Sequence, residues 1–444
     1  MRVLKDQTIA AIATSTAIGG IGIVRISGSE ALEIVKKMTT LEDLKPRHAY
    51  FSPFLDHDGV TIDEGVVLFY KGPNSFTGED VVELQGHGGV IVLNRVLNRV
   101  LELGATMARR GEFSERAFLN GKLDLVQAEA IHDLIVSQSE AQAKAAMSSL
   151  TGNFSKRVNE LLESLIMMRV YIEAAIDFSE EDIDFISDGN VVKGLKELND
   201  QVSQLLKSAG NGKVLTDGIR VVIAGRPNAG KSSLLNALSG EETAIVTDIE
   251  GTTRDVLREQ IILDGMPLYV IDTAGLRETT DQIEAEGIKR AKQEAATADL
   301  VLWMHDDRTP FEGIDADIAA LNIPTIIIHN KADLSGRAIG AHEKYIAISA
   351  KDGQGLEALK SAILKQVGFE AQEGLFSARE RHLQALRSVL EHFATALSLI
   401  EDEVAIELVA EELRLAQIAL GEITGEFSSD ALLGEIFSNF CIGK

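Results

Sequence analysis

A nine-residue segment at positions 225–233 reads GRPNAGKSS and directly follows an apolar run. An apolar run followed by G-x-x-x-x-G-K-S predicts a strand that leads into a phosphate-binding loop and then a helix. Gly225 and Gly230 permit the tight turn that points main-chain N–H groups at phosphate oxygens. Lys231 can reach the outer phosphates, and the hydroxyl of Ser232 can ligate Mg²⁺. The loop therefore predicts binding of a nucleotide together with magnesium.

Three later segments, each of which also follows an apolar run, indicate which nucleotide binds. Asp272 begins an Asp-Thr-Ala-Gly segment, in which the Asp can hold the water shell of Mg²⁺ and the glycine N–H can meet a γ-phosphate. Asp333 closes an Asn-Lys-Ala-Asp segment. Its carboxylate can accept hydrogen bonds from the N1–H and 2-amino groups of guanine, a donor pair that adenine lacks. The main chain of the Ser-Ala-Lys segment at 349–351 can meet the guanine oxygen. The order of the segments predicts a guanine-nucleotide site.

A further segment lies between the phosphate-binding loop and Asp272. Its Gly251-Thr252-Thr253 sequence is typical of a switch that brings a threonine hydroxyl onto Mg²⁺ when the γ-phosphate is present. Ser232 and Thr253 are the predicted magnesium ligands. The full set of predicted GTP contacts is Asn228, Ala229, Gly230, Lys231, Ser232, Ser233, Thr247, Thr253, Asp272, Thr273, Ala274, Gly275, Asn330, Lys331, Asp333, Ser349, Ala350 and Lys351.

The means of hydrolysis differs from that of Ras-like GTPases, in which a glutamine after Asp-x-x-Gly orients the attacking water and an arginine finger neutralises charge. The equivalent position here is Leu276, which can do neither. The acidic stretch from Glu278 to Glu286 offers carboxylates for the water. For the positive charge, Asn228 can hold a monovalent cation against the phosphates, and Arg254 and Arg277 are the competing internal arginines.

The elements that position these residues are predicted from the periodicity of apolar residues. The apolar runs before the four nucleotide segments predict strands at 219–224, 268–271, 325–329 and 345–348. Residues 1–118 mix strand-like runs with turn residues and predict an α+β domain. Apolar residues spaced by three and four predict amphipathic helices at 161–172, 192–205, 386–397 and 406–420. The segment 208–218 is predicted to be a loop.

Neither helical block is long enough to form a domain alone, so the two are expected to pack together with the nucleotide-binding domain inserted between them. The predicted fold class is multidomain α/β: an N-terminal α+β domain, a helical bundle built from two chain segments, and a Ras-like P-loop domain. The predicted bounds are 1–118 for the N-terminal domain, 119–215 for the first helical segment, 216–368 for the GTPase domain and 369–444 for the second helical segment, which ends in Cys-Ile-Gly-Lys.

Composition constrains partners and compartment. The net charge is −25, from 43 basic and 68 acidic residues. This charge disfavours extended, nonspecific binding to a nucleic-acid backbone. Any RNA contact therefore needs a local basic patch or a partner. No run approaches the 18 apolar residues of a membrane span. The first residues lack a signal-peptide pattern, and the single cysteine fits a reducing compartment. A cytoplasmic location is expected.

Long motifs at both ends of the chain identify a resemblance. The segments TDIEGTTRD at 247–255 and DTAGLR at 272–277 resemble those of the K⁺-stimulated, Era-like GTPases. The rest of the chain resembles the tRNA uridine-modification GTPases within that family, and the match covers essentially the whole sequence. The segments that carry it are GPNSFTGED at 72–80, QGHGG at 85–89, GEFSERAFLNGK at 111–122 and FCIGK at 440–444.

The resemblance implies further roles around the nucleotide. A potassium ion is expected on Asn228, with Thr247, Ile249 and Thr252 supplying further oxygens. Family correspondence places the catalytic acid at Glu284. With Glu284, the residues expected to act in catalysis are Asn228, Lys231 and Cys441. The family implicates this terminal cysteine in the modification chemistry, whereas the sequence alone leaves a small packing residue open.

The resemblance also implies a folate pocket in the N-terminal domain, for 5-formyl- or 5,10-methylene-tetrahydrofolate. The residues that correspond are Arg25, Glu83, Lys122 and Lys444. A carboxylate can pair with pterin N–H groups, while arginine and lysine can meet the glutamate tail. Family members commonly carry a Pro-Gly-Arg-Gly-Gly-like segment where this chain reads TAIGG at 16–20, so the rim of the pocket is expected to differ.

The function implied by the resemblance is GTP hydrolysis coupled to addition of a carboxymethylaminomethyl-type group at C5 of the wobble uridine of certain tRNAs. The implied partners are a second copy of the chain through the N-terminal domain, tRNA, and a FAD-dependent protein called MnmG (GidA). The alternative is an Era-like regulatory GTPase that binds ribosomal RNA. A protein of that kind would carry a basic RNA-binding module in place of the folate-type motifs and Cys441.

Overall fold

The computed structural model describes residues 7–15, 17–177, 190–226, 228–241, 258–272, 296–314, 316–370, 374–402, 406–427, 429–440 and 442–443. The chain divides into two compact units. The first consists of Met1–His132, Phe154–Leu162 and Gln417–Lys444, and the second of Asp133–Asn153 and Glu163–Ala416.

The first unit contains a sheet whose strand order is β3-β4-β5-β2-β1-β6. Its strands are β1 (Ile9–Ile12), β2 (Gly19–Ser27), β3 (Ala49–Leu55), β4 (Thr61–Tyr70), β5 (Val81–Gly88) and β6 (Thr106–Met107). Neighbouring strands are antiparallel, except that β1 and β6 are parallel. Along β4, buried Val67 and Phe69 alternate with half-buried Val66 and Leu68, as expected where only one face of a strand enters the core. This alternation fixes which side chains remain on the other face.

Helices α1 (Ala31–Met38) and α2 (Val90–Glu102) cover the buried face of this sheet. Their apolar residues recur every three or four positions, as in Leu93, Val96 and Val100 of α2, and pack against the sheet interior. The predicted α+β character of the N-terminal region is therefore confirmed.

The chain continues in helices. They are α3 (Glu112–Leu119), α4 (Leu125–Val136), α5 (Glu140–Leu150), α6 (Asn153–Asp177) and α7 (Asn190–Asp217). A capping box begins α5: the N–H of Gln142 donates to the Ser139 hydroxyl at 3.1 Å, and Gln142 Oε1 accepts from the N–H of Ser139.

A second sheet follows α7, with the strand order β12-β13-β11-β10-β7-β9-β8. Its strands are β7 (Ile219–Gly225), β8 (Arg258–Leu263), β9 (Met266–Asp272), β10 (Leu300–Asp306), β11 (Thr325–Asn330), β12 (Gly340–Ala341) and β13 (Ile346–Ile348). The five inner strands are parallel, and β8 and β12 are antiparallel edges. The described helices around it are α8 (Lys231–Glu241), α9 (Ala316–Ala319), α10 (Ala332–Ser335) and α11 (Leu356–Gln366). The four strands predicted from apolar runs are confirmed to within one or two residues.

Helices return after this sheet as α12 (Glu380–Glu401), α13 (Ile406–Thr424) and α14 (Asp430–Ser438). Four helices from the two chain segments meet in the second unit, since side chains of α6, α7, α12 and α13 line one small apolar gap: Tyr171, Ile172, Ala175, Val191, Ile400, Ile406 and Val409. The expected bundle, built from both sides of the inserted sheet, is confirmed.

The predicted loop at 208–218 is wrong, because α7 continues through it to Asp217. The segment contains Gly210 and Gly212. A Cβ at Gly212 would lie 2.1 Å from the carbonyl oxygen of Phe376. The glycine therefore serves a close approach between α7 and the chain that leads into α12, and the helix stays intact.

The nucleotide-side sheet shares its core with the neighbouring helices. Ala145 of α5, Leu215 of α7 and Phe369 belong to the same buried cluster as the strands β7 and β9. At the β8–β9 turn, the Ser139 hydroxyl donates to the carbonyl oxygen of Gly265 at 2.6 Å. The start of α5 therefore covers this turn. Among the described residues, no helix is long and apolar enough to cross a membrane.

Candidate functional site

The phosphate-binding loop joins the end of β7 to the start of α8 through residues in the left-handed region. Gly225, Asn228 and Gly230 have φ of 147°, 63° and 100°. A Cβ at Gly225 would lie 2.2 Å from the carbonyl oxygen of Met304 on the adjacent strand β10. Only glycine fits that position, so the loop conformation depends on its sequence.

The side chain of Asn330 ties three predicted segments together. Its Nδ2 donates to the carbonyl oxygen of Ala229 at 2.8 Å, and its Oδ1 accepts from the N–H of Ala350 at 3.0 Å. Asn330 is only 3% exposed. A Cβ at Gly230 would lie 2.2 Å from Asn330 Nδ2, so the second loop glycine makes room for this amide. The phosphate loop and both guanine segments are therefore held as one assembly.

Lys331 makes a second connection to the phosphate loop. It also has a left-handed backbone, with φ of 66°. Its ammonium donates to the carbonyl oxygen of Asn228 at 2.6 Å and pairs with Asp306 at 2.8 Å. The Asn228 side chain itself is exposed. The main chain of Asn228 is thus fixed while its amide remains accessible.

Groups able to meet phosphate oxygens collect at the start of α8. The Lys231 ammonium lies over the loop and donates to the carbonyl oxygens of Gly225 at 2.9 Å and Arg226 at 3.3 Å. Ser232 and Ser233 are exposed in the first helical turn. Because a helix N-terminus carries unpaired N–H groups and a positive partial charge, this end favours an anion.

The other predicted contacts lie at the carboxyl ends of neighbouring strands. Asp272 is the last residue of β9 and is in register with Ile223 of β7, beside the loop. Asp333 is exposed in the first turn of α10. Ser349 is buried and donates to Asp352 Oδ2 at 2.9 Å, whereas Lys351 is exposed. The fold thus brings the described members of the predicted set to one edge of the sheet.

Several predicted site residues lie outside the described residues. They are Thr247, Ile249, Thr252, Thr253, Thr273, Ala274, Gly275, Glu284, Cys441 and Lys444.

Two acidic residues of this region had no predicted role. Asp306 ends β10 and pairs with Lys331 and with Arg308, whose Nε and Nη2 donate at 2.9 and 2.7 Å. The Arg308 hydrogen bonds, helped by Lys331 against the effect of burial, hold the pKa of Asp306 well below its usual range. Asp306 is therefore permanently negative. It lies between the phosphate loop and the Asn-Lys-Ala-Asp segment at 330–333, which is called the guanine segment below. Its signal in the sequence is an acidic pair directly after an apolar strand.

The second acidic residue, Asp307, lies beneath the guanine segment with its side chain 2% exposed. Burial raises the pKa of its carboxyl, but hydrogen bonds from Arg337, Ser335 and His329 outweigh this and lower it to about 2. Burial lowers the pKa of His329, which precedes Asn330 and contacts Asp307 at 2.7 Å. The buried Asp307 carboxylate and its three partners thus support the Asn-Lys-Ala-Asp segment.

In the first unit, the structure joins two of the residues predicted to bind folate. Arg25 and Glu83 are register partners on β2 and β5, and Arg25 Nη2 lies 2.9 Å from Glu83 Oε1. The two side chains are 19% and 12% exposed. Arg25 Nη1 also donates to the carbonyl oxygen of Gly443 at 3.3 Å, which brings the residue before Lys444 to the pair. Burial, followed by the charge of Glu83, raises the pKa of nearby Tyr70.

The loop at 72–80 contacts the Arg25 side chain of this pair. The Phe76 ring lies 5.7 Å from the Arg25 guanidinium. Glu79 holds the loop, since it accepts from the Ser27 hydroxyl at 2.7 Å and pairs with buried Arg116 at 3.1 Å. The sequence motifs contained Phe76, Glu79 and Arg116 without revealing these contacts.

Lys122, the fourth predicted folate residue, is exposed. A Cβ at Gly78 would lie 3.4 Å from Lys122 Cγ, so the lysine stem passes the same loop. Asn120 Nδ2 donates to the carbonyl oxygen of Thr77 at 2.7 Å and fixes the segment before Lys122. Arg25 and Lys122 therefore both border the 72–80 loop, and Glu83 is joined to Arg25.

A glycine-rich loop between a parallel strand and a helix, tied to an Asn-Lys-x-Asp segment two strands away, defines a P-loop GTPase. The family model described as "MnmE helical domain" matches residues 125–441, and that described as "GTP-binding protein TrmE N-terminus" matches residues 8–122. Proteins named tRNA modification GTPase MnmE from Vibrio cholerae and Pseudomonas entomophila are each 53% identical over 99% of this chain, which covers 100% and 99% of those proteins. The chain belongs to the MnmE family of tRNA modification GTPases.

Solved structures show a more distant likeness. A structure of Aquifex aeolicus Era bound to GDP.AlF4⁻ is 27% identical, covers 39% of this chain and 66% of that chain, and has a TM-score of 0.28. At this TM-score the likeness adds nothing to the fold assignment, which rests on the strand order and the family match.

Proposed function

We propose that this chain hydrolyses GTP in order to add a carboxymethylaminomethyl-type group at C5 of the wobble uridine of certain tRNAs, together with a FAD-dependent partner. The observation that carries the GTP-hydrolysis part of the proposal is the position of the Asn330 side chain. Its contacts to Ala229 and Ala350 join the phosphate loop to both guanine segments. The tRNA half is supported by the names of the relatives, tRNA modification GTPase MnmE.

Magnesium fits the oxygen donors at the loop. Ser232 offers an exposed hydroxyl in the first turn of α8, and Asp272 ends the neighbouring strand. In the described ranges, no group of three or more His, Cys, Asp or Glu residues could hold a metal on its own. We therefore assign Mg²⁺ to Ser232, Thr253 and the phosphate oxygens, where it would neutralise charge on the nucleotide.

Potassium fits the exposed amide of Asn228, whose main chain is fixed by Lys331. Thr247, Ile249 and Thr252 are proposed to complete the ligand set. Leu276 cannot orient the attacking water, so Glu284 is assigned that role by family correspondence. In this proposal Lys231 holds the outer phosphates, Asn228 supplies the cation site, and Glu284 takes part only when the switch segment closes.

The folate assignment is supported by the Arg25–Glu83 pair and refined by its contacts. Since the Arg25 guanidinium is occupied by Glu83 and by the carbonyl oxygen of Gly443, exposed Lys122 is better placed to meet the glutamate tail. The Glu83 carboxylate can accept from pterin N–H groups. Lys444 follows Gly443 and is proposed as a further tail contact. Bound folate would supply the one-carbon unit, and Cys441 is assigned to the modification chemistry.

The proposed assembly is a homodimer through the N-terminal domain, joined by MnmG (GidA) and tRNA in the cytoplasm. We propose the domain bounds 1–118, 119–215, 216–368 and 369–444 given by the sequence. Insertion of the GTPase domain between two bundle segments offers a route by which nucleotide-driven movement reaches the rest of the chain.

Nucleoside analysis of tRNA from cells that lack this protein tests the proposal. Wobble uridines should lose their C5 group, and a plasmid copy of the gene should restore it. A Lys231→Ala copy should not restore it, whereas a copy changed at exposed Lys344, Lys344→Ala, should. Unchanged wobble uridines together with immature ribosomal subunits would instead favour the Era-like alternative.

A further inference from the structure

The strand β10 lies between the two loops that hold the nucleotide. It pairs with β7 on one side, where Met304 is in register with Gly225, and with β11 on the other, where Asp306 is in register with Asn330. Asp306 is therefore the last strand residue between the phosphate loop and the guanine segment. Its carboxylate can therefore reach the phosphate loop through a side chain of the neighbouring strand's segment, Lys331.

The Asp306 carboxylate acts on the phosphate loop through Lys331. The Lys331 ammonium lies 2.8 Å from Asp306 Oδ2 and 2.6 Å from the carbonyl oxygen of Asn228. Lys331 and Asn228 both adopt left-handed backbone conformations, with φ of 66° and 63°. Such conformations cost free energy for residues other than glycine and persist where surrounding contacts hold them. The ammonium is the contact that joins the two.

Arg308 also holds the carboxylate. Its Nε and Nη2 reach the two oxygens of Asp306 at 2.9 and 2.7 Å. The Arg308 side chain is 49% exposed, whereas those of Asp306 and Lys331 are 15% and 24% exposed. The Asp306–Lys331 contact is the more buried of the two and is therefore less screened by water than the Arg308 contact.

We propose that Asp306 is a positioning residue that holds Lys331 on the carbonyl oxygen of Asn228 and thereby couples guanine recognition to the geometry of the phosphate loop. Through this tether it also sets the Asn228 amide for the monovalent cation, a part of the proposal that rests on the proposed function. Asp306 touches neither base nor phosphate, and its effect passes through Lys331.

The first test measures dissociation of a fluorescent GDP analogue from the full-length protein. Asp306→Asn keeps the size of the side chain and removes its charge, so release should accelerate about tenfold, the effect of losing one charge-assisted hydrogen bond. Asp306→Glu should recover most of the slow release. Arg308→Ala removes the other partner of Asp306 but leaves the Lys331 contact in place, so it should change release less than Asp306→Asn does. Lys344→Ala, which removes an exposed charge outside these contacts, is the matched control and should leave release unchanged. Unchanged release in Asp306→Asn overturns the proposal.

A double variant shows whether Asp306 acts through Lys331. In a Lys331→Ala background, Asp306→Asn should add nothing to the rate of GDP release. An effect that adds fully in that background would mean that Asp306 acts by another route, and would overturn the tether. A thermal melt of each variant separates this result from general loss of structure.

The potassium dependence of GTP hydrolysis tests whether Asp306 also sets the position of the Asn228 amide. In Asp306→Asn, the K⁺ concentration for half-maximal hydrolysis at saturating GTP should rise several-fold, with Lys344→Ala close to the parent. Faster GDP release with unchanged K⁺ dependence would overturn the link to the Asn228 amide. If the parent shows no response to K⁺, the cation assignment itself fails, and the GDP release rates alone decide the tether.

Discussion

The nucleotide region and the Arg25–Glu83 region are built from different parts of the chain. Around the phosphate loop, the key contacts end on main-chain atoms: Asn330 and Lys331 donate to the carbonyl oxygens of Ala229 and Asn228. In the first unit the central contact joins two side chains across β2 and β5. One region depends on backbone conformation, and the other on strand register.

This difference determines what a sequence can reveal. A site made of main-chain atoms needs glycines and small polar residues at fixed spacing, and these form a continuous motif. A pair of side chains on separate strands leaves no such spacing, because Arg25 and Glu83 are 58 positions apart. The first region is therefore predictable from its own residues, and the second only from the family or the fold.

The largest expected effect concerns the carboxylate that is proposed to orient the attacking water, a group that the main chain of the nucleotide region cannot supply. Because Leu276 leaves the attacking water unheld, Glu284→Ala should lower single-turnover GTP hydrolysis by about 10²–10⁴-fold, the usual weight of a positioned acid or base. GTP affinity should stay close to that of the parent, since the contact forms only in the transition state. Glu278→Ala and Glu286→Ala are the controls. Equal losses at all three positions would remove the assignment of Glu284.

The second prediction separates the side chain of Asn228 from its main chain. Hydrolysis by the parent should be faster in K⁺ than in Na⁺ by about 10²–10³-fold, the weight of one charge-stabilising contact. Asn228→Gly should abolish this difference while it keeps GTP affinity, since glycine accepts a positive φ and the carbonyl contact to Lys331 survives. Asn228→Ala should lose the response and some affinity. Parallel assays in the two salts decide it, and equal parent rates would refute the cation site.

A third prediction concerns the part of the nucleotide region that is proposed to bind guanine. Asp333→Asn should weaken GTP binding about a hundredfold, because two hydrogen bonds to a charged acceptor are lost. Binding of xanthosine triphosphate should strengthen, since its exocyclic oxygen requires a donor. Titration with both nucleotides measures the exchange, with exposed Glu343→Gln as the control. Undiminished GTP binding would show that the guanine contact lies elsewhere.

The fourth prediction concerns the Arg25–Glu83 pair of the first unit. Losing one partner of a fully buried ion pair costs about 3–5 kcal/mol, and the partial exposure of Arg25 and Glu83 reduces the expected cost of Arg25→Ala to about 2 kcal/mol. Hydrogen exchange at the amides of β2 and β5 reports this local free energy. The double change Arg25→Met with Glu83→Leu should recover at least half of it, because no uncompensated charge remains. A double variant no more stable than the single would contradict the comparison.

The smallest expected effect concerns Asp307, whose carboxylate accepts from His329 directly before the guanine segment. The pKa of Asp307 is about 2 in the folded chain, below its unfolded value. The ionised carboxylate therefore stabilises the folded chain above about pH 4, and this contribution is lost as the pH falls from about 4 towards 2. Protonation of His329, whose pKa burial lowers, acts in the same direction below neutral pH. Thermal unfolding between pH 5 and 2 should show a steeper loss in the parent than in Asp307→Asn, and matching profiles would contradict this.

The four strands that lead into the motifs could be predicted because each ends at a motif residue or directly before one, as β11 does at Asn330 and β13 does before Ser349. The role of Asp306 could not, because an acidic residue after a strand is common and its partner is known only from the register of β10 and β11. The length of α7 was missed since the need for Gly212 arises from Phe376, far along the chain. Tertiary neighbours decided the cases of Asp306 and α7.

The shared core beneath the nucleotide sheet has a practical consequence for cloning. A recombinant fragment cut at 216 and 368 would omit Ala145, Leu215 and Phe369, all of which are packed among its strands. It would also uncover the turn at Gly265, which Ser139 and the start of α5 shield in the intact chain. Fragments for crystallisation or NMR should therefore begin before Leu215 and end beyond Phe369, and comparisons of their catalytic rates with the whole protein should allow for the missing helix.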